Sequence, residues 1–150
     1  MIIDDQKFRE PNYNHNLQKP LDRENIEIVT KIIDSLGWLD EDAIGHDANL
    51  ALFVTLQHAD KLSTMEKYLP ILKNAAREGK AKMDQYAYLK DRVELLNNRP
   101  QIYGTQYNVH VDGSVSIKNL KDSLNVNERR KEVGLMPLEK YIDLISQDLK

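Results

Sequence analysis

One segment dominates the apolar patterning of this 150-residue chain: Leu50-Ala51-Leu52-Phe53-Val54-Thr55-Leu56, followed at once by Gln57-His58-Ala59-Asp60. A helix this apolar around its circumference has to be buried on most sides. It therefore predicts the centre of a core, with amphipathic elements packed against it. It also carries Gln57 and His58 into a largely dry place, where each side chain needs a hydrogen-bonding partner.

The elements around it follow from periodicity and stop signals. Residues 1–20 read as an N-terminal arm, punctuated by Pro11, Asn12, Asn14 and Pro20, with a short helix allowed at Asp4–Arg9. From Leu21 the residues Ile26, Val29, Ile32, Ile33 and Leu36 recur at helical spacing, and Gly37 is the expected left-handed stop. Trp38, the one tryptophan, should fold back on that helix. Asp47 is expected to cap the apolar helix, and Ser63-x-x-Glu66 to open the next as a capping box. Pro70 predicts a kink or break in it. A further helix spans Met83–Leu96 and buries Leu89, Val93 and Leu96. Two alternating runs on either side of Asp112-Gly113 predict a β-hairpin pairing 102–110 with 114–119. Val126–Val133 and a segment opened by Pro137 complete the chain as helices. The expected fold is mainly α: five to six helices around a central buried helix, with one β-hairpin before the C-terminal helices. Residues 21–150 read as a single domain.

Composition narrows the function classes. The net charge of −3 supplies no basic field, so no nucleic-acid partner is expected. No run reaches the ~18 apolar residues of a membrane span, and Met1–Gln6 lacks the basic and apolar regions of a secretory signal. Zero cysteines exclude disulfides and thiolate metal sites and fit a reducing compartment. The expectation is a cytoplasmic protein without cofactor. No Walker loop, Gly-x-Gly-x-x-Gly or Gly-x-Ser-x-Gly occurs, so nucleotide folds and serine hydrolases have no support. His15, His46, His58 and His110 form no ligand pairing, and no metal site is expected.

An ordered set of short motifs runs along the chain: Gly37-Trp38, Gln57-His58-Ala59-Asp60, Asp91-Arg92-Val93, Tyr103-Gly104-Thr105-Gln106, Arg129-Arg130 and Gly134-Leu135-Met136-Pro137-Leu138. Together with the opening Asp5-Gln6 and Arg9, it resembles a bacterial family of unknown function, a domain-of-unknown-function group. Leu39 departs from the proline that many relatives carry after Gly-Trp. The resemblance implies membership and no activity.

The candidate site residues follow from placement. His58 is the candidate catalytic group, as a base titrating near neutral pH; a histidine hydrogen-bonded within the core explains it as well. Gln57 either orients a ligand or satisfies loop backbone. Arg92 lies between Leu89 and Val93, where arginine either pairs with a carboxylate (Asp91, Asp5 or Asp60) or holds an anion through its planar fork. Gly104 would leave room beside Gln106, making Gln106 a pocket wall or an exposed strand residue. Arg129-Arg130-Lys131 reads as a solvated helix face. Two functions remain open. One is a small-ligand-binding domain or enzyme whose pocket gathers His58, Gln57, Arg92 and Gln106, with Gln6 and Arg9 closing it around a small polar or anionic ligand. The other is a non-catalytic protein-interaction module whose polar core is scaffolding.

Overall fold

The computed structural model describes residues 14–148. Gln6, Arg9 and the short helix expected at Asp4–Arg9 lie outside the described residues. The fold is mainly helical: among the described residues there are seven α-helices and one two-strand antiparallel hairpin before the C-terminal helices. The chain divides into two compact units, the first ending at Lys82 and the second starting at Met83.

The first unit contains α1 (His15–Leu36), α2 (Glu41–Ile44), α3 (His46–Gln57) and α4 (Leu62–Arg77). Helix α1 begins well before Leu21, because the Asn14 side chain accepts from the Leu17 N–H and caps it. Pro20 lies inside α1 and Pro70 inside α4, and neither interrupts its helix. The carbonyls that these prolines leave without an N–H belong to Asn16 and Glu66, both exposed residues where solvent can take the place of the missing donor. Gly37 ends α1 as expected, with φ +74° and its N–H on the Ile33 carbonyl, and Trp38 is buried behind it. Helix α2 is a single turn that the sequence reading missed; Asp40 caps it through the Ala43 N–H.

Helix α3 packs against α1, α2 and α4, which makes it the middle of this unit. Its N-cap is Gly45 and not Asp47, which instead sits in the first turn, where a carboxylate favours the helix dipole. Ala51, Leu52 and Leu56 are buried, whereas Phe53 and Val54 are only half-buried. Helix α4 starts at Leu62 with Lys61 as its cap residue, so Ser63 falls inside the first turn and forms no capping box. Asn49 ties the unit together through its amide, which donates to the Leu39 and Lys80 carbonyls at 2.8 Å each.

The second unit contains α5 (Met83–Leu96), β1 (Tyr107–Val109), β2 (Val115–Ile117), a 3-10 turn (Ser123–Asn125), α6 (Val126–Glu132) and α7 (Leu138–Asp148). Leu89 and Val93 of α5 are buried as expected, but Leu96 is 52% exposed. The hairpin register pairs Tyr107 with Ile117, Asn108 with Ser116 and Val109 with Val115. Its loop is a three-residue one. The Gly113 N–H returns to the His110 carbonyl, and the His110 N–H bonds the Ser114 carbonyl. Only Gly113 in that loop has positive φ, so this is a type I turn with a glycine bulge rather than a type I′ turn. The expected pairing from 102 onward is not made in full, because residues 102–105 are bonded to side chains instead.

Candidate functional site

In the second unit, one run of backbone is held almost wholly by side chains. Asp91 of α5 is fully buried and accepts from the N–H groups of Ile102 (2.7 Å), Tyr103 (3.0 Å) and Thr105 (2.9 Å), and from the Thr105 hydroxyl at 2.9 Å. The carbonyls of the same run are taken from the other side. Arg129 Nε donates to the Ile102 carbonyl at 2.9 Å, and Arg130 Nη1 to those of Tyr103 (2.7 Å) and Gly104 (3.3 Å). The Tyr141 hydroxyl donates to the Thr105 carbonyl at 2.9 Å. Four residues of peptide thus lie between a carboxylate that takes their donors and a set of cationic and phenolic groups that take their acceptors. Charge-assisted bonds of this kind are about twice as strong as neutral ones.

Burial shapes the titration of these groups. It pushes the Asp91 carboxyl above the ordinary carboxylate range, against the pull of its hydrogen bonds. It raises the Tyr103 phenol to about 12 and drives the Tyr141 phenol higher still. Desolvation lowers the Arg130 guanidinium, which lies 4.9 Å from the Tyr141 ring centre and also donates to the Met136 carbonyl. The Arg129-Arg130-Lys131 run is therefore not a solvated face: Arg130 is completely buried and Arg129 is committed to three carbonyls.

Beside this clamp is a pocket of about 240 Å³ lined by Arg92, Leu95, Leu96, Gln106 and Lys118. Arg92 follows Asp91 on α5, and Gln106 follows the clamped Thr105. A buried glutamine holds two of the wall residues in place. Gln101 accepts from the Gln106 N–H (3.0 Å), donates to the Gln106 carbonyl (2.9 Å) and donates to the Lys118 carbonyl. The Gln106 amide itself reaches the Thr105 hydroxyl at 3.3 Å. Two cationic side chains and an amide thus share a pocket with two leucines, and among the described residues no acidic side chain lines it. The nearby Glu94 is already engaged by Arg99 and Lys90.

Arg92 and Gln106, two of the residues singled out from the sequence, therefore meet at one pocket. The expected ion pair of Arg92 with Asp91 is not what occupies that carboxylate, which serves the backbone amides of 102–105. Asp60 pairs with Arg23 at 3.3 Å. Gln57 and His58 belong to the first unit. Gln57 is buried, and among the described residues its Oε1 has no hydrogen-bond partner; His58 is half-buried and follows the last residue of α3 as its cap, its N–H on the Val54 carbonyl at 3.1 Å. Gly104 does not open space for a ligand. It has φ +70°, and a Cβ there would meet Leu138 Cδ1 at 3.1 Å. Glycine is needed for the backbone conformation and the close packing.

A family model described as a family of unknown function, DUF6624, matches residues 7–149. The chain belongs to DUF6624. No curated protein and no solved structure matches it. In this DUF6624 chain, four of the motifs quoted above fall on the clamp and its surroundings. Asp91-Arg92, Tyr103-Gly104-Thr105-Gln106 and Arg129-Arg130 are its parts, and Gly134–Leu138 supplies the Met136 carbonyl and the Leu138 contact. The buried arginine was the main residue missed. A signal for it was present: Val126, Arg130 and Val133 recur at helical spacing, which places Arg130 on the apolar side of α6. Among the described residues no group of three His, Asp or Glu side chains is arranged to hold a metal ion, and no helix is long and apolar enough to cross a membrane.

Proposed function

We propose that this DUF6624 chain is a binding domain for a small anionic ligand, and that the pocket between α5 and the Gln106–Lys118 edge of the hairpin receives it. The observation that carries this reading is that Arg92, Lys118 and Gln106 line one pocket, with no carboxylate among its described lining residues, beside backbone that Asp91 and Gln101 hold in place. An anion fits the guanidinium and ammonium groups, and a short aliphatic portion fits Leu95 and Leu96. A volume of about 240 Å³ holds roughly eight water-sized groups, the scale of a small carboxylate. The described lining offers no imidazole, carboxylate or hydroxyl to act as base or nucleophile, which favours binding over chemistry at this place; His58 is left as a residue of the first unit. Isothermal titration with sodium butyrate, acetate and inorganic phosphate against a chloride background tests the reading. Butyrate should bind tightest, and Lys118→Gln and Arg92→Gln should each weaken it by roughly tenfold, a charge-assisted bond being worth about 1.5–3 kcal/mol. Binding that Lys118→Gln leaves unchanged, or no binding at all, overturns it.

A second reading, a protein-interaction module, is favoured by one observation. Val109, Val111 and Leu124 are exposed apolar side chains in the second unit, with Val111 fully exposed at the hairpin loop. Replacing Val109 and Val111 with lysine should then abolish self-association or partner capture and leave anion binding intact.

A further inference from the structure

A larger pocket, of about 410 Å³, lies in the first unit, where the middle of α1 meets the loop from α3 into α4. Its charged lining falls into two groups. Arg23 and Asp60 pair with each other at 3.3 Å and so are mutually neutralised. Glu27 and Lys61 also line it, and among the described residues neither side chain makes an ion pair or a hydrogen bond. Ile26 and Ala59 give the same pocket an apolar surface. A cavity that presents one uncommitted carboxylate, one uncommitted ammonium and an apolar wall is complementary to a molecule carrying both charges and a short hydrocarbon group. A purely anionic or purely cationic ligand would leave one of the two groups facing a like charge.

We propose that this pocket is a second ligand site, and that it takes a zwitterionic amino acid. Glu27 receives the ammonium group, Lys61 the carboxylate, and Ile26 with Ala59 the side chain. Its volume corresponds to about 14 water-sized groups, enough to admit a single amino acid of leucine size with room left for water. The site is separate from the anion pocket and does not depend on it.

The test is calorimetric titration of the full chain with L-leucine, N-acetyl-L-leucine and L-leucinamide, with the amide resonances of Ala59 and Thr64 followed by NMR. Leucine should bind about tenfold tighter than either of the other two, since each lacks one of the charge-assisted contacts. Glu27→Gln should erase the preference over N-acetyl-L-leucine, and Lys61→Gln the preference over L-leucinamide. Both residues are exposed, so both variants should keep the parent melting temperature. Equal binding of the three compounds, absence of binding, or preferences that survive in the two variants overturn the proposal.

Discussion

The two units of this chain reach a buried interior by different means. In the first, the interior is mostly apolar: Val29, Ile33, Leu52, Leu56, Met65, Tyr68 and Leu72 are buried across α1, α3 and α4, with the Gln18 amide donating to Asp22 as a buried polar pair on α1. In the second, the largest fully buried side chain is an arginine, and Asp91 and Gln101 are fully buried with it. Apolar packing is tolerant, because neighbours relax partly into a cavity. A buried charge has no such latitude, since removing its partner leaves an uncompensated ion in a dry place. The first unit should therefore degrade gradually under substitution, and the second should fail at particular residues.

The largest effect is expected where that contrast is sharpest. Asp91→Ala removes the acceptor of three backbone N–H groups and a hydroxyl. Arg130→Met leaves the Tyr103, Gly104 and Met136 carbonyls without this donor. Each change should cost on the order of 3–5 kcal/mol, because it leaves several buried backbone groups without a partner at about 1–3 kcal/mol each. Chemical denaturation measures the loss, and hydrogen exchange should show the amides of 102, 103 and 105 losing protection first. Near-parental stability in either variant would mean that the clamp is ornamental, and the contrast between the units would vanish.

A smaller loss is expected from Leu56→Ala, in the range of about 2–5 kcal/mol for a fully buried leucine. Phe53→Ala should cost less than the usual ~3–5 kcal/mol of a core phenylalanine, because Phe53 is only half-buried. The order of these two midpoints checks which face of α3 is the core face. If Phe53→Ala proved the more damaging, the apolar interior of the first unit would have to be drawn around the other side of the helix.

The residues also show what the sequence makes visible. Helical periodicity, the Gly37 stop and the Met83–Leu96 helix were all readable, because they depend on local backbone preference and on one amphipathic face. Cap positions were not. Asp47 and Ser63 have the chemistry of caps, yet Gly45 and Lys61 occupy those places, since helix ends are settled by the packing of neighbouring turns. The strand pattern was legible at 107–109, where cross-strand pairing governs. It misled at 102–106, where buried side chains, Asp91, Arg130 and Gln101, take the backbone groups that a partner strand would have paired. Arg92 and Gln106 line one pocket, and the sequence pointed to them as polar residues beside apolar runs. Arg130 was hidden by its charged neighbours, which made a buried guanidinium look like part of a surface run.

The smallest predicted effect concerns acid, and it opposes two carboxylates on one helix. Glu94 lies three residues after Asp91, and its bonds to Arg99 and Lys90 hold its pKa down at about 2 from an ordinary 4.5, with Arg99 the larger influence. Asp91 is shifted the other way by burial. A depressed folded-state pKa gives stability that is present above the unfolded value and is lost as protons are added. The Glu94 contribution should be intact above pH 4.5 and disappear as pH falls from 4.5 to about 2. A raised pKa acts with the opposite sign, so the Asp91 term is fully present below its ordinary value of 3.8 and fades as pH rises through the raised one. The Glu94 partners are 28% and 52% exposed, so solvent screening limits the effect to on the order of 1–2 kcal/mol. Urea midpoints of the parent and of Glu94→Gln, measured from pH 2 to 7, should differ by a constant amount near neutrality and converge toward pH 2. A gap that stays constant down to pH 2 would show that Glu94 contributes through its shape rather than its charge. The electrostatic character assigned to the second unit would then rest on the clamp alone.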